Sequence, residues 1–130
     1  EATTVTAAEV PGLVDEVPVL AIAAACATGT TVFEGLAELR VKESDRLATV
    51  EAMLVALGVQ VEVTGDQIAV TGGPLAGGLI ETHRDHRIAM AGAIAGLVAS
   101  GSTRISDWDA VATSYPNFGQ DLAMLQSADV

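Results

Sequence analysis

The sequence has 130 residues, enough for one domain or a large part of one, and half of them are hydrophobic. Its formal charge is −11, from 17 carboxylates against six Lys and Arg residues. Such an acidic chain lacks the basic surface that nucleic-acid binding needs. Its longest apolar run, residues 17–27, is too short to cross a bilayer. We therefore expect a protein with a hydrophobic core that binds neither nucleic acid nor membrane.

Cys26 is the single cysteine, so no internal disulfide can form. Because it lies in an Ala-rich run, we expect it to be buried and inert, which fits a reducing cytoplasm. The chain begins with Glu1 rather than Met, and we expect it to be a piece of a longer protein.

Hydrophobic periodicity and chain breakers predict helices and strands in the first half of the chain. In order, these are a strand end at 3–7, a buried helix at 17–27, a strand at 30–34, a connection at 36–41 that can be extended, a helix from 44 or 45 to 57, and hairpin strands at 59–63 and 67–71. Asp15 lies near the start of the first helix, Ser44 or Asp45 caps the second, and Gly58 ends it. Gly65-Asp66 provides the hairpin turn.

The second half begins with a glycine-rich connection that has neither a Walker nor a dinucleotide-binding pattern. The predicted elements are this loop at 72–78, a helix from Asp85 or His86 to Ala99, a strand at 103–106, and a last helix from 115 or 116 to 126. The whole pattern predicts an α/β fold.

An internal repeat with an offset of 72 residues relates the two halves, and residues 27–31 match residues 99–103. Self-similarity of this kind indicates a fold built from repeated supersecondary units. We place the units at about 13–80 and about 81–130. The repeat also puts Asp15 and Arg87 at corresponding helix starts.

Five of the six cations lie in two short segments, 39–47 and 82–90, and the second segment also contains both histidines. Both segments adjoin predicted helix starts, where the dipole favours anions and disfavours cations by roughly 0.3–1 kcal/mol per charge. A bound anion would compensate this cost. The alternative is a solvated loop with local ion pairs.

Residue types in these segments suit anion binding and proton transfer. Lys42 and Arg46 are four residues apart and can converge on helical spacing, and Glu43 beside them can exchange protons. The plainer alternative for the second segment is an N-cap at Asp85 with Arg87 as its ion-pair partner. Asp15 is likewise explained as a helix cap. We predict no metal site, because the two histidines are the only nitrogen ligands.

Four segments resemble the C-terminal part of 5-enolpyruvylshikimate-3-phosphate (EPSP) synthase. They are V-D-E-V-P-V-L-A from Val14, L-R-V-K-E-S-D-R-L from Leu39, D-H-R-I-A-M from Asp85 and A-T-S-Y-P-N-F from Ala112. The residues of these segments are more similar to those of the bacterial class II enzymes. The resemblance implies two similar domains of βαβαββ units around a pseudo-threefold axis, with the active site in the cleft between them. The present chain would hold about two units of the C-terminal domain, and the N-terminal domain would be its missing partner.

The activity implied by this resemblance is transfer of the enolpyruvyl group of phosphoenolpyruvate to the 5-hydroxyl of shikimate 3-phosphate. This enolpyruvyl (carboxyvinyl) transferase reaction belongs to the shikimate pathway, which leads to chorismate and aromatic amino acids in the cytoplasm. No metal or organic cofactor is implied, and glyphosate is the implied inhibitor. We expect the chain to carry half of an active site and to be inactive alone.

The resemblance also implies residue roles. Asp15 corresponds to the proton acceptor near the shikimate hydroxyls, and Glu43 to the acid/base that exchanges a proton with the phosphoenolpyruvate methylene. The cationic clamp on phosphoenolpyruvate corresponds to Lys42, Arg46 and Arg87. Lys42 also shares proton transfer with Asp15, and His86 supports Arg87.

One position departs from part of the family, because no lysine precedes Ser114-Tyr115-Pro116. Two alternatives stay open. The related UDP-N-acetylglucosamine enolpyruvyl transferase shares the fold and the phosphoenolpyruvate chemistry, but is not expected to contain these two charged motifs. An isolated, non-catalytic domain that binds anions weakly is the other.

Overall fold

The computed structural model describes residues 1–127, in which helices and strands are mixed along the chain. The strands are β1 (Thr4–Val5), β2 (Thr30–Phe33), β3 (Gln60–Thr64), β4 (Gln67–Thr71), β5 (Leu79–Ile80) and β6 (Arg104–Ile105). The α-helices are α1 (Val17–Ala25), α2 (Arg46–Ala56), α3 (His86–Gly96) and α4 (Phe118–Ser127). Short 3-10 helices cover Val10–Gly12, Val14–Glu16, Ala37–Val41 and Trp108–Thr113. None of the helices within this range has the length and apolarity of a membrane span.

The larger sheet has the strand order β1-β2-β4-β3. Strand β1 runs parallel to β2, whereas β4 is antiparallel to both β2 and β3. Gly65 has a φ of 60° in the β3–β4 turn, a conformation that glycine adopts without steric cost. The hairpin prediction is therefore confirmed. Strands β5 and β6 pair in parallel in a second, smaller sheet.

The element order recurs in the two halves of the described chain. Helix α1, strand β2, a 3-10 helix and helix α2 follow one another, as do α3, β6, a 3-10 helix and α4. Val5 pairs with Phe33 in the larger sheet, and Ile80 pairs with Ile105 in the smaller one. The unit boundaries at 13–80 and 81–130 stay a prediction, and residues 128–130 of the second unit lie outside the described residues.

The hydrophobic core lies between the helices and the larger sheet. Its buried members include Val17 and Ala21 of α1, Leu47, Val50 and Leu54 of α2, Ile88 and Ala91 of α3, and Phe33, Ile68 and Val70 of the sheet. Small side chains let α1 and α3 approach each other closely. A Cβ at Gly92 of α3 would lie 2.9 Å from Ile80 Cδ1, so this helix also packs tightly against β5.

The glycine-rich loop passes very close to neighbouring backbone. A Cβ at Gly72 would lie 1.5 Å from the carbonyl oxygen of Ala27, and a Cβ at Gly77 would lie 2.2 Å from that of Ser102. The Gly72 N–H donates to the Gly29 carbonyl oxygen at 2.9 Å. These glycines therefore allow the loop to pack against two places, the end of α1 and the residues just before β6.

Several predicted details are wrong. Residues 36–41 are not extended, because Ala37–Val41 forms a 3-10 helix whose Leu39 is buried. Helix α3 ends at Gly96 rather than Ala99, and the last helix begins at Phe118 rather than at residue 115 or 116. Cys26 is exposed rather than buried, because it is the C-cap of α1 and lies beyond its last buried turn.

Candidate functional site

Three helix starts carry most of the predicted site residues. Asp15 lies in the 3-10 turn that leads into α1, and Arg46 is the first residue of α2. Helix α3 begins at His86, directly after its N-cap Asp85. Contacts between side chains of these segments show that the three starts converge. The sequence correctly placed these residues at helix starts, but the ion pairs that join them were not predicted.

A buried ion pair between Arg46 and Asp85 forms the centre of the site. Arg46 Nε donates to Asp85 Oδ2 at 2.9 Å, and Arg46 Nη2 donates to Asp85 Oδ1 at 3.2 Å. The two side chains are 1% and 0% exposed. Asp85 also accepts hydrogen bonds from Ser44 Oγ at 2.8 Å and from the Arg87 backbone N–H at 3.0 Å. Asp85 is thus the N-cap of α3, as predicted, but its ion-pair partner is Arg46 and not Arg87.

Two partly exposed carboxylates complete the shell around the Arg46 guanidinium. Arg46 Nη1 donates to Asp15 Oδ1 at 3.0 Å, and Nη2 donates to Glu43 Oε2 at 2.6 Å. Asp15 is 46% exposed and Glu43 is 51% exposed. Each carboxylate therefore connects the buried guanidinium to the surface. The Asp15 side chain does not cap α1, which has no side-chain cap.

Lys42 lies beside the same carboxylate. Its Nζ atom is 3.6 Å from Asp15 Oδ1 and 3.3 Å from Glu38 Oε1. Lys42 precedes α2 and has an extended backbone, so the predicted helical spacing to Arg46 is wrong. The two cations nevertheless converge, because both contact Asp15.

Arg87 reaches the site from α3. Its Nη1 atom is 3.5 Å from Glu16 Oε1, and its side chain is about one-third exposed. Asp15 and Arg87 also line a cleft of about 190 Å³ between α1 and α3, together with Pro18, Met90 and Phe118. Lys42 and Arg87 are therefore partly accessible cations that flank Asp15.

The ring of His86 contacts Glu43, and its support of Arg87 stays a prediction. Its Nε2 atom lies 3.5 Å from Glu43 Oε1, and its Nδ1 atom is hydrogen-bonded to Ser114 Oγ. Sequence reasoning missed Ser114 as a site residue. The A-T-S-Y-P-N-F segment was the only signal that pointed to it.

Arg84 and Arg40 lie outside this cluster, although both belong to the two cationic segments. Arg84 pairs with Asp109 at 3.0 Å and Arg40 with Asp66 at 3.1 Å, both at exposed positions. Arg84 and His83 have φ values of 60° and 52°, in the left-handed region. This reversed backbone directly precedes Asp85, whose side chain is fully buried.

Hydrogen bonds and nearby cations lower the pKa values of the three carboxylates. Burial acts to raise the pKa of Asp85, but hydrogen bonds from Arg46 and Ser44 hold it below its ordinary value. Partial burial is likewise outweighed at Asp15, whose pKa is lowered by Lys42, Arg46 and Arg87. The pKa of Glu43 is lowered by a hydrogen bond from its own backbone N–H and by the charge of Arg46. All three groups are therefore ionised at neutral pH.

The network changes the interpretation of the charge pattern. Arg46 begins a helix, where a cation is disfavoured, but three carboxylates of the same chain compensate it. The nearest ligand atoms of Glu43, Asp85 and His86 lie within 4.8 Å of one another, which is close enough for a metal ion. Because Arg46 already bonds both carboxylates, a divalent cation there would face a buried positive charge. We therefore describe this group as an ion-pair network.

Solved structures share the fold of this chain. Two EPSP synthase structures, both from Acinetobacter baumannii, superpose with TM-scores of 0.91 and 0.88 at 43% and 39% sequence identity. Each match covers 95% of this chain but only 30% and 29% of the solved chain. The predicted α/β fold, as part of the enolpyruvyl transferase fold, is confirmed.

The sequence comparisons give the family. The family model described as EPSP synthase (3-phosphoshikimate 1-carboxyvinyltransferase) matches residues 1–122, and the chain belongs to this family. A 3-phosphoshikimate 1-carboxyvinyltransferase from Chloroflexus aggregans is 52% identical over 126 residues, which are 95% of this chain and 29% of that protein. One from Xanthomonas oryzae is 56% identical over 109 residues, or 84% of this chain and 25% of that protein. The chain thus spans less than a third of the length of these relatives.

Proposed function

We propose that this chain forms one wall of the active site of a 3-phosphoshikimate 1-carboxyvinyltransferase. The reaction transfers the enolpyruvyl group of phosphoenolpyruvate to the 5-hydroxyl of shikimate 3-phosphate, in the cytoplasmic shikimate pathway that leads to chorismate and aromatic amino acids. The main support for this proposal is that two accessible carboxylates, Asp15 and Glu43, are both paired with the buried guanidinium of Arg46. An addition–elimination reaction needs two such groups, because one proton moves at oxygen and another at carbon.

Asp15 is the base toward the 5-hydroxyl in this mechanism. As the 5-oxygen bonds to C2 of phosphoenolpyruvate, its proton passes to Asp15. The pKa of Asp15 is lowered by Lys42, Arg46 and Arg87 against the opposing effect of partial burial, so the group begins as an ionised acceptor. Lys42, with Nζ 3.6 Å from Asp15 Oδ1, shares the charge that develops there.

Glu43 exchanges a proton with C3 of phosphoenolpyruvate. In the addition step Glu43, which first takes up a proton from solvent because it is ionised at neutral pH, gives that proton to C3, which becomes a methyl group. In the elimination step the bond between C2 and the phosphate oxygen breaks, phosphate leaves with the bonding electrons, and C3 returns a proton to Glu43. The hydrogen bond between Arg46 Nη2 and Glu43 Oε2 orients this carboxylate before the ligand binds.

The anionic groups of the substrates are held by cations. Lys42 and Arg87 are partly exposed and flank Asp15, which suits electrostatic stabilisation of phosphate and carboxylate groups. Arg46 contributes to this clamp through N–H groups that Asp15 and Glu43 share with the ligand. Glyphosate, which is also anionic, is the expected inhibitor. No organic cofactor or metal is needed for this chemistry.

The N-terminal domain of the enzyme is the proposed partner of this chain. It would supply the opposite wall, most of the shikimate 3-phosphate site and the exclusion of water, which strengthens electrostatic interactions in a closed site. We expect the 130-residue chain to be inactive alone for this reason.

A complementation assay tests the proposal. Phosphate release from phosphoenolpyruvate and shikimate 3-phosphate is measured with the chain alone, with a separately produced N-terminal domain alone, and with both. Turnover is expected only in the mixture, and Glu43→Gln in the chain is expected to lower it at least about 100-fold. Glu62→Gln, on the exposed face of β3, is the matched control and should retain full turnover. Full activity of the isolated chain, or of the Glu43→Gln mixture, would refute the proposal.

A further inference from the structure

We infer that Glu38 is a positioning residue for Lys42, and that it holds the Lys42 ammonium group in place after a proton has neutralised Asp15. Lys42 Nζ lies 3.3 Å from Glu38 Oε1 and 3.6 Å from Asp15 Oδ1, so this ammonium group contacts two carboxylates. The inference rests on the proposed function for the protonation of Asp15. The two ion pairs are contacts of the chain itself and can be tested without any turnover.

The contacts of Asp15 explain why Lys42 needs a second counter-ion. Asp15 Oδ1, which lies beside Lys42, also accepts a hydrogen bond from Arg46 Nη1 at 3.0 Å. The two cations therefore share one oxygen atom, and their positive charges repel each other. The Lys42 side chain is only 21% exposed, so water screens this repulsion incompletely. Glu38 is the other carboxylate paired with Lys42 within residues 1–127, and it offsets the repulsion.

The proposed proton transfer removes one of these two counter-ions. When Asp15 accepts the proton of the 5-hydroxyl, its carboxyl group becomes neutral and loses its Coulomb attraction for Lys42. A hydrogen bond to a neutral acceptor is roughly half as strong as one to a charged acceptor. The repulsion from Arg46 remains. Glu38 takes no part in the transfer, so it is the anionic partner that still holds Lys42 within the described part of the chain.

The 3-10 helix Ala37–Val41 gives Glu38 a fixed backbone. Leu39, which follows Glu38, is fully buried. Arg40 Nη2 donates to the Gly65 carbonyl oxygen at 2.6 Å, which ties the helix to the β3–β4 turn of the larger sheet. This contact gives a structural role to a cation of the first charged segment that lies outside the site. The carboxylate that holds Lys42 therefore extends from an anchored segment.

NMR relaxation of the 130-residue chain tests the contact, because Lys42 is the single lysine of the sequence. Lysine labelled with carbon-13 then gives the signals of one side chain, and the order parameter of its Cε methylene measures how firmly it is held. Asp15→Asn replaces the carboxylate by a neutral amide of the same shape. Lys42 should stay ordered in this variant, and adding Glu38→Gln should lower the order parameter to about half or less.

Glu62→Gln is the matched control for this experiment, since Glu62 is an exposed carboxylate of β3. Combined with Asp15→Asn, it should leave the order parameter of Lys42 unchanged. The inference is overturned if Lys42 is already mobile in wild type or in Asp15→Asn alone. It is also overturned if Glu38→Gln has no more effect than the control.

Kinetics of the complemented enzyme separate positioning from a general charge effect. Glu38→Gln should lower kcat about tenfold without raising KM for phosphoenolpyruvate, because ionised Asp15 still holds Lys42 before the proton moves. Removing a negative charge that only repels anionic substrates would instead lower KM and leave kcat unchanged. An unchanged kcat therefore overturns the inference. If the wild-type mixture gives no turnover, the proposed function fails, while the order parameters still decide whether Glu38 holds Lys42.

Discussion

Arg46 and Asp85 form a two-point ion pair in which neither side chain is more than 1% exposed. The pair joins the first residue of α2 to the N-cap of α3, and Asp15 extends it to the start of α1. Removing one member of a buried pair leaves an uncompensated charge, which is far more costly than losing a surface contact. The pair therefore determines both the local stability and the arrangement of the candidate site.

Asp85→Ala should lower the free energy of unfolding by about 3–5 kcal/mol, because Arg46 loses two hydrogen bonds to a buried carboxylate and α3 loses its cap. Urea unfolding followed by circular dichroism measures the change. Asp109→Ala is the matched control, since it removes an aspartate that pairs with Arg84 at the surface. The control should unfold nearly as wild type, and similar losses in both variants would contradict the buried-pair argument.

The stability of the folded chain should fall at acidic pH, because Asp85, Asp15 and Glu43 become protonated. Their pKa values are lowered in the folded state from ordinary values of 3.8 for Asp85 and Asp15 and 4.5 for Glu43. A depressed folded-state pKa contributes stability that is present above the unfolded pKa and is lost as the pH falls through the folded value. Urea midpoints should thus be level above about pH 5.5 and decline below about pH 4.5.

The variant Asp85→Asn isolates the contribution of one group to this decline. It cannot titrate at position 85, so its stability should depend less steeply on pH than that of wild type between about pH 4.5 and 2.5. Parallel curves for the two proteins would show that Asp85 does not cause the acid sensitivity.

Much of the fold could be predicted from local patterns. The apolar periodicity of α2, its cap at Asp45 and its stop at Gly58 predicted that helix within one or two residues, and the Asp45 side chain accepts from the Ala48 N–H as a cap should. Alternation around Gly65 predicted the hairpin in the same way. These elements are determined by neighbours in sequence, which is why sequence patterns reveal them.

Features set by distant contacts could not be predicted. Strand β5 has two residues and exists because Leu79 and Ile80 pair with Arg104 and Ile105. The charged segments predicted a concentration of cations, but not that Arg46 would be neutralised by carboxylates 3, 31 and 39 residues away. The family motifs contain most of the residues of this cluster, but the hydrogen-bond partners of His86 are 28 and 43 residues away in sequence and could not be predicted from it.

The close approach of Gly72 to α1 gives a test of the loop packing. A Cβ at this position would lie 1.5 Å from the Ala27 carbonyl oxygen, so Gly72→Ala must displace backbone and should lower stability by about 3 kcal/mol. At the adjacent Gly73, an added Cβ would have no neighbouring atom within 4 Å, and the backbone does not have a positive φ. Gly73→Ala should therefore be neutral or stabilise by about 0.4–1 kcal/mol, and equal thermal unfolding of the two variants would disprove the packing.

Cys26 provides a simple test of the boundary of α1. Because its side chain is exposed at the C-cap, the folded chain should consume one equivalent of a disulfide reagent in native buffer, without denaturant. Ala25, one residue earlier, is fully buried. The double variant Cys26→Ser with Ala25→Cys should react only when urea is added, whereas protection of Cys26 in wild type would place it inside the core.

Four of the five guanidinium N–H groups of Arg46 already donate to carboxylates within the described part of the chain. An incoming anion that bonds Arg46 in place of Asp15 or Glu43 therefore takes part in an exchange, in which an external counter-ion replaces an internal one. The carboxylate that is released returns toward its ordinary pKa and takes up protons more readily. Anion binding at Arg46 and proton uptake by the released carboxylate are thereby linked, so that the binding of the anion itself favours the protonated form of that carboxylate.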